Sequence, residues 1–219
     1  MNAILIPVKD LSRAKQRLSF TLSQAERTRL ARAMLHDVFA AVARVRAGVT
    51  VFVVSSDPHA LAEARSRGWQ CLPETAQHSE SRSVDEASRI CTSRGVSALL
   101  RLPIDIPLVH AADIEAVFAA CPAAPGAVLV PSQSASGTNA LLRTPPDLFP
   151  SHFGPGSLGK HLDEASRCRA YARVLRNPRI ALDVDDLRDL RALASHRDVG
   201  QYTAAVLREL PLRSRAASA

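Results

Sequence analysis

The chain has 219 residues, 47% hydrophobic but only 4% aromatic. That length is enough for one α/β domain with a sizeable core of Ala, Leu and Val, and the shortage of aromatics disfavours a β-sandwich. The net charge is +7, from 28 basic and 21 acidic side chains, yet the arginines are scattered along helical faces and few rings are available to stack on bases, which argues against nucleic acid as the main partner.

Ala3 to Val8 is a short apolar run of the kind expected in a buried parallel strand. It is broken at once by Pro7 and charge, unlike a secretion leader. A helix follows from about Ser23 to Val45, with Leu30, Met34, Val38 and Val42 on one face. Val49 to Val54 reads as the second strand, Pro58 to Gly68 as a helix, and Ser83 opens another helix that stops near Gly95. Ala98 to Leu102 is the third strand and Ala111 to Ala120 a helix. Ala127 to Val130 and Thr138 to Arg143 read as strands around the polar turn SQSASG. Thr144 to Gly159 is an ordered loop rich in Pro and Gly, and Leu158 to Arg167 a helix. Ile180 to Val184 reads as a last strand and Leu187 to Ala194 as a last helix. The expectation is a single domain over 1–210 with a frayed tail at 211–219. The alternation implies a mainly parallel sheet with helices on both faces, in which ligands bind beyond the carboxyl ends of the strands. Cys71, Cys91, Cys121 and Cys168 show no metal-like spacing and read as buried thiols of a reducing compartment. No stretch looks long enough to cross a membrane, so a cytoplasmic protein is expected.

Four segments carry candidate chemistry. After the first strand, Lys9, Arg13, Lys15 and Arg17 crowd one loop; it suits a triphosphate as well as it suits a plain solvated loop. No Walker or dinucleotide glycine motif is present. Asp105 ends an apolar run between Pro103 and Pro107, whose restricted backbone fixes its direction, and a carboxylate there suits a hard cation. In Leu182-Asp183-Val184-Asp185-Asp186, strand alternation places Asp183 and Asp185 on one face, where they repel unless a cation lies between them. One of Asp185 and Asp186 is expected to cap the next helix. Finally, Ser136-Gly137-Thr138 and the run Phe153 to His161 combine hydroxyls and glycines ahead of a helix, a setting for an anion. Ser157 is there also a candidate helix cap, and His161 lies one turn on.

In order, PVKDLSRAKQRL, MLHDV, SSDP, DIPL, GTNALL, FGPGSLGKH and LDVDDLRDL resemble the 2-phospho-L-lactate guanylyltransferase family, which includes the phosphoenolpyruvate and 3-phosphoglycerate guanylyltransferases of coenzyme F-420 biosynthesis. The resemblance covers nearly the whole chain. It implies a Rossmann-like nucleotidyltransferase fold of the GT-A type, a three-layer sandwich related to the molybdenum-cofactor guanylyltransferases. It implies magnesium on Asp105 and Asp183, with Lys15 meeting the triphosphate. Nucleotide contacts then fall on Pro7, Lys9, Lys15, Arg17, Ser55 and Asp85, and acid contacts on Thr138, Gly154 and Ser157. Relatives typically read G-L-N-x-A where this chain has Ser83-Val84-Asp85-Glu86-Ala87, so Asp85 stands in place of an amide. The Thr-Pro that usually follows the second metal aspartate is also replaced, by Asp186-Leu187.

The activity implied is transfer of GMP from GTP to 2-phospho-L-lactate, phosphoenolpyruvate or 3-phospho-D-glycerate, with release of pyrophosphate. The expected partners are GTP and the small phosphorylated acid, with no nucleic acid and no membrane; a homodimer is left open. The alternatives are the same fold acting on molybdopterin or a sugar phosphate, and a non-catalytic GTP-binding protein.

Overall fold

A computed structural model describes residues 1–46, 48–75 and 78–211. Of the expected tail, residues 212–219 lie outside this range.

Seven strands form one sheet. They are β1 (Asn2–Val8), β2 (Thr50–Ser55), β3 (Gln70–Pro73), β4 (Ala98–Arg101), β5 (Gly126–Pro131), β6 (Thr138–Thr144) and β7 (Tyr171–Val174). Their spatial order is β3-β2-β1-β4-β6-β5-β7. The four strands β1 to β4 run parallel, β6 is antiparallel to β4 and β5, and β7 is parallel to β5. This is the mainly parallel mixed sheet expected. The helices are α1 (Gln24–Ala43), α2 (Pro58–Ser66), α3 (Glu80–Ser93), α4 (Ala111–Ala119), α5 (Ser157–Arg167), α6 (Pro178–Ala181), α7 (Leu187–Ser195) and α8 (Gln201–Glu209).

Strand alternation divides the core between two faces. Ile4, Ile6, Val51, Val53, Leu100 and Val128 pack against α1, α2 and α4. Their neighbours Ala3, Leu5, Phe52, Val54 and Leu99 pack against Val84, Ala87 and Cys91 of α3. Ala127, Leu129 and Leu141 continue that second face under Ala165 of α5. A third cluster joins Leu30 and Met34 of α1 to Leu182, Val184, Leu190 and Leu193. It holds the chain segment between α6 and α7 against the body of the molecule.

Several sequence expectations need correction. Ile180 to Val184 is not a strand. Asn177 caps Arg179 and Ile180 with its side chain, Pro178 sits at the first helical position, and one turn of helix forms over Pro178–Ala181. Residues 182–186 then run on with no ladder partner. The helix read as opening at Ser83 begins at Glu80, because Ser79 accepts from the Arg82 N–H and caps it. The strands β3 and β7 and the helix α8 are additional to the expected elements. Ser157 does not cap α5; that position is Gly156 in the left-handed conformation (φ 70°). Cys91 is buried, but Cys168 is exposed. No helix among the described residues is long and apolar enough to cross a membrane.

Candidate active site

Two adjoining cavities open beyond the carboxyl ends of β1 and β4, where β6 reverses the direction of the sheet. The first, about 420 Å³, is lined by Pro7, Lys9, Arg13, Lys15, Gln16 and Arg17 together with Asp105. The second, about 410 Å³, is lined by Ser132, Ser134, Ser136, Thr138, Gly154 and Ser157 together with Asp183. Arg17, Glu80, Arg101, Pro103, Asp105 and Asp185 border both. One wall of the cleft is therefore basic and the other is rich in hydroxyls.

The loop after β1 is built to aim Lys15. Asp10 accepts from the Ser12 N–H and starts a 3-10 turn over Leu11–Arg13, and a second follows over Gln16–Leu18. Between them Lys15 adopts the left-handed conformation (φ 55°, ψ 44°), uncommon for a residue with a side chain. Its ammonium donates to Asp105 Oδ2 at 2.9 Å and to Asp185 Oδ1 at 3.5 Å. Arg17 reaches the other oxygen of Asp185 at 3.3 Å.

The two aspartate segments are tied through their backbones. The Val184 N–H donates to the Asp105 carbonyl at 3.0 Å. Leu182 and Val184 are buried while Asp183 and Asp185 both face the cleft. The expected same-face placement thus survives without the strand, because an extended segment anchored by alternate apolar residues has the same two-residue period. Asp186 is the one that caps α7, so Asp185 is not consumed by that role.

Electrostatics distinguish the carboxylates. Burial works against the Lys15 ammonium, but the charges of Asp105 and Asp185 outweigh it and hold its pKa above the usual lysine value. Burial likewise works against the Asp105 carboxylate, and Lys15 outweighs it, holding that pKa below the usual range. Asp183 has no such cation. Burial raises its pKa, the Asn139 amide at 3.0 Å opposes the rise, and the like charges of Asp105 and Asp185 add to it. No salt bridge reaches Asp183 among the described residues. Lys15 and Arg17 thus pair with Asp105 and Asp185 and leave Asp183 without a cation. No group of three acidic, His or Cys side chains is assembled to hold a metal among the described residues, but one or two carboxylates completed by substrate phosphates and water are the donor set that magnesium takes.

In the second cavity the Thr138 N–H donates to Ser157 Oγ at 2.8 Å, and Thr138 Oγ1 lies 3.0 Å from His161 Nδ1. Gly154, at φ 119°, lines the cavity with backbone a side chain could not follow without strain.

Of the site residues expected from sequence, Ser55 and Asp85 line neither cavity. Ser55 is fully buried, donating to the Val8 carbonyl at 2.7 Å and accepting from the Asp57 N–H at 2.8 Å. It fastens the end of β2 to the end of β1. Asp85 accepts from the Ser151 N–H at 3.0 Å and lies 3.5 Å from Arg143, which is 2% exposed. It braces the loop before α5 and offsets a buried guanidinium.

Arg101, Glu80 and Asn139 escaped sequence reasoning. Arg101 is 6% exposed, pairs with Glu80, donates to the Asn139 carbonyl at 2.8 Å and lies over the Phe153 ring at 4.1 Å. An arginine ending a fully apolar strand four residues before Asp105 was the available signal. The Asn139 side chain donates to the carbonyls of Ile180 and Ala181 as well as to Asp183, and so orients that carboxylate.

A family model described as guanylyl transferase, CofC like, matches residues 2–218. The phosphoenolpyruvate guanylyltransferase of Rubrobacter xylanophilus is 40% identical over 199 residues, 90% of this chain and 95% of that one. The protein of the same name from Sphaerobacter thermophilus is 37% identical over 199 residues, 90% of this chain and 94% of that one. Among solved structures, one provisionally described as a nucleotide-diphospho-sugar transferase from Desulfovibrio desulfuricans G20 superposes with a TM-score of 0.76 at 18% identity, covering 95% of this chain and 94% of that one. A CMP:2-keto-3-deoxy-manno-octonic acid synthetase complexed with CTP superposes with a TM-score of 0.60 at 12% identity, covering 95% of this chain and 99% of that one. At such identities the likeness concerns the fold.

Proposed function

Because the chain belongs to the CofC-like guanylyl transferase family, we propose that it moves GMP from GTP onto phosphoenolpyruvate, or onto a closely similar phosphorylated acid, and releases pyrophosphate. Curated relatives named phosphoenolpyruvate guanylyltransferase support this choice of acceptor over 2-phospho-L-lactate and 3-phospho-D-glycerate. Coenzyme F-420 biosynthesis is the pathway proposed for the product. The observation that carries the reading is the cleft itself, with a basic wall and a hydroxyl wall meeting at Lys15, Asp105, Asp183 and Asp185.

The chemistry is a single displacement. An ionised phosphate oxygen of the acid attacks the α-phosphorus of GTP, an α-phosphorus–oxygen bond forms, and the bond to the β-phosphate bridge oxygen breaks. The acid's phosphate is already an anion near neutral pH, so no protein nucleophile is required. The chain's contribution is to align the two substrates and meet the charge that shifts onto pyrophosphate. Lys15 and Arg17 do the latter from the basic wall, with Lys9 at its rim and Pro7 shaping it. Thr138, Gly154 and Ser157 seat the acid on the other wall. Asp105 and Asp183 would hold magnesium, which when bound supplies charge neutralisation on the phosphates. Asn139 keeps Asp183 turned into the cleft.

Pyrophosphate release from a panel of nucleotides and acceptors tests the reading. GTP with phosphoenolpyruvate should be the fastest pair. Comparable release from CTP, or from a sugar phosphate in place of the acid, would contradict it.

A further inference from the structure

His161 is fully buried in α5, and both of its ring nitrogens are engaged. Nε2 lies 2.8 Å from the backbone nitrogen of His152. A backbone N–H can only donate, so Nε2 must be the bare, accepting nitrogen, and in the neutral ring the proton is on Nδ1. That proton points at Thr138 Oγ1, 3.0 Å away. The hydroxyl oxygen thus accepts from His161, and its own hydrogen is left to donate. Thr138 is 5% exposed and lines the second cavity, and no other partner engages its hydroxyl among the described residues. Ser157 repeats the logic, since its oxygen accepts from the Thr138 N–H and leaves its hydrogen free.

We infer that His161 is a positioning residue: by donating from Nδ1 it occupies one lone pair of the Thr138 hydroxyl and leaves its hydrogen to donate into the cavity, so that with Ser157 this wall offers two hydroxyl donors to an anionic oxygen. The inference rests on the proposed seating of the acid at Thr138 and Ser157. It adds the reason why those hydroxyls face an anion as donors rather than as acceptors.

The surroundings keep the ring in that state. Burial, followed by the nearby basic groups of Arg143, His152, Arg101 and Lys160, pushes the His161 pKa down to about 3. Glu164, the nearby carboxylate, is engaged by His152 and Arg167 rather than by His161. The Phe153 and Phe149 rings pack against the imidazole at 5.2 and 6.2 Å. It therefore remains neutral, with one fixed tautomer, across the working pH range.

Two variants separate the ring nitrogens. His161→Asn carries an amide N–H2 near the place of Nδ1 and can still donate to Thr138. His161→Gln reaches the place of Nε2, can still accept from His152, and loses the donation. His161→Gln should raise KM for the acid about ten- to hundredfold, the scale of one hydrogen bond to a charged group, while KM for GTP stays within about twofold. His161→Asn should lie closer to wild type. In a Thr138→Val background, His161→Gln should add little, because the two act through one hydroxyl. Equal effects of Asn and Gln, a parallel rise in both KM values, or additive losses in the double variant would overturn the inference. Nitrogen-15 NMR of the histidine rings reads the tautomer without turnover. An Nδ1–H form that does not titrate between pH 5 and 8 is expected, and an Nε2–H form refutes the inference. Failure of the wild type to transfer GMP to any phospho-acid would instead refute the functional reading, leaving the tautomer measurement standing.

Discussion

Replacing Asp113 with alanine should weaken both the fold and the site. The Asp113 carboxylate is 3% exposed and takes hydrogen bonds from Arg179 Nε at 2.7 Å and its terminal nitrogen at 2.6 Å, from Asn177 at 2.7 Å and from the His110 N–H at 2.9 Å. It joins the start of α4 to the cap of α6, which leads directly into Asp183. Breaking a fully buried pair costs about 3–5 kcal/mol. Arg179 is 41% exposed and regains water when left alone, so ~2–3 kcal/mol is the better figure, or about 4–12 °C in Tm for a chain of this length. The sign with pH is fixed. Burial works against the carboxylate, but the bonds from Arg179 and Asn177 outweigh it and hold its pKa below 3.8. Its stabilisation is thus complete above the unfolded value of 3.8 and fades as pH falls through the lower folded value. Urea melts followed by circular dichroism should show a constant gap between wild type and Asp113→Ala from pH 5 to 8 that narrows below pH 4. Equal stabilities at pH 7, or a gap that widens in acid, would refute the reasoning.

Asp183→Asn should lose transfer by about 10²-fold or more, yet melt at or above the wild-type temperature in EDTA at pH 7. Burial and two like charges raise its pKa, so the ionised carboxylate opposes folding above that pKa, and the gain should vanish below pH 3.8. Lys15→Met should cost a similar factor in kcat and, in EDTA, should lower Tm by leaving Asp105 and Asp185 without their ammonium; its contribution should persist up to the ordinary lysine pKa and fade above the raised one. Asp85→Asn should lower Tm while KM for GTP stays within about twofold, since Asp85 offsets Arg143 rather than facing the cleft. Gly200→Ala should destabilise by about 1–3 kcal/mol, because a Cβ there would collide with the Asp37 carboxylate, and Asp37 itself receives the Tyr202 and Thr203 N–H groups that begin α8.

The parts of the molecule legible in sequence were those where burial dictates residue type. The runs at β1, β2 and β4 are continuous because both faces of a central parallel strand are covered. Asp105 stood out because a lone charge between two prolines ends such a run. Alternation at 182–185 correctly grouped Asp183 with Asp185 but was mistaken for a strand, since a segment pinned by Leu182 and Val184 shows the same period with no neighbour. β7 was missed because all four of its residues are exposed at a sheet edge, and β3 because four residues with one buried leave no pattern. Ser55 and Asp85 show the opposite difficulty. Ser55 lies in the matching SSDP segment and Asp85 where this chain departs from the family's amide, and sequence does not reveal that their oxygens are already engaged by Val8, Asp57 and Ser151. Arg101 was hidden among 28 basic residues, most of them solvated; only the fold brings it to the junction of the two cavities.

Mass spectrometry of the products formed from GTP, magnesium and phosphoenolpyruvate tests the central claim most directly. A GMP–enolpyruvate diphosphate formed in step with one equivalent of pyrophosphate, and lost in both Asp105→Asn and Asp183→Asn, is the predicted result. Formation of GDP or free GMP with no joined product, or undiminished product from either variant, would contradict it.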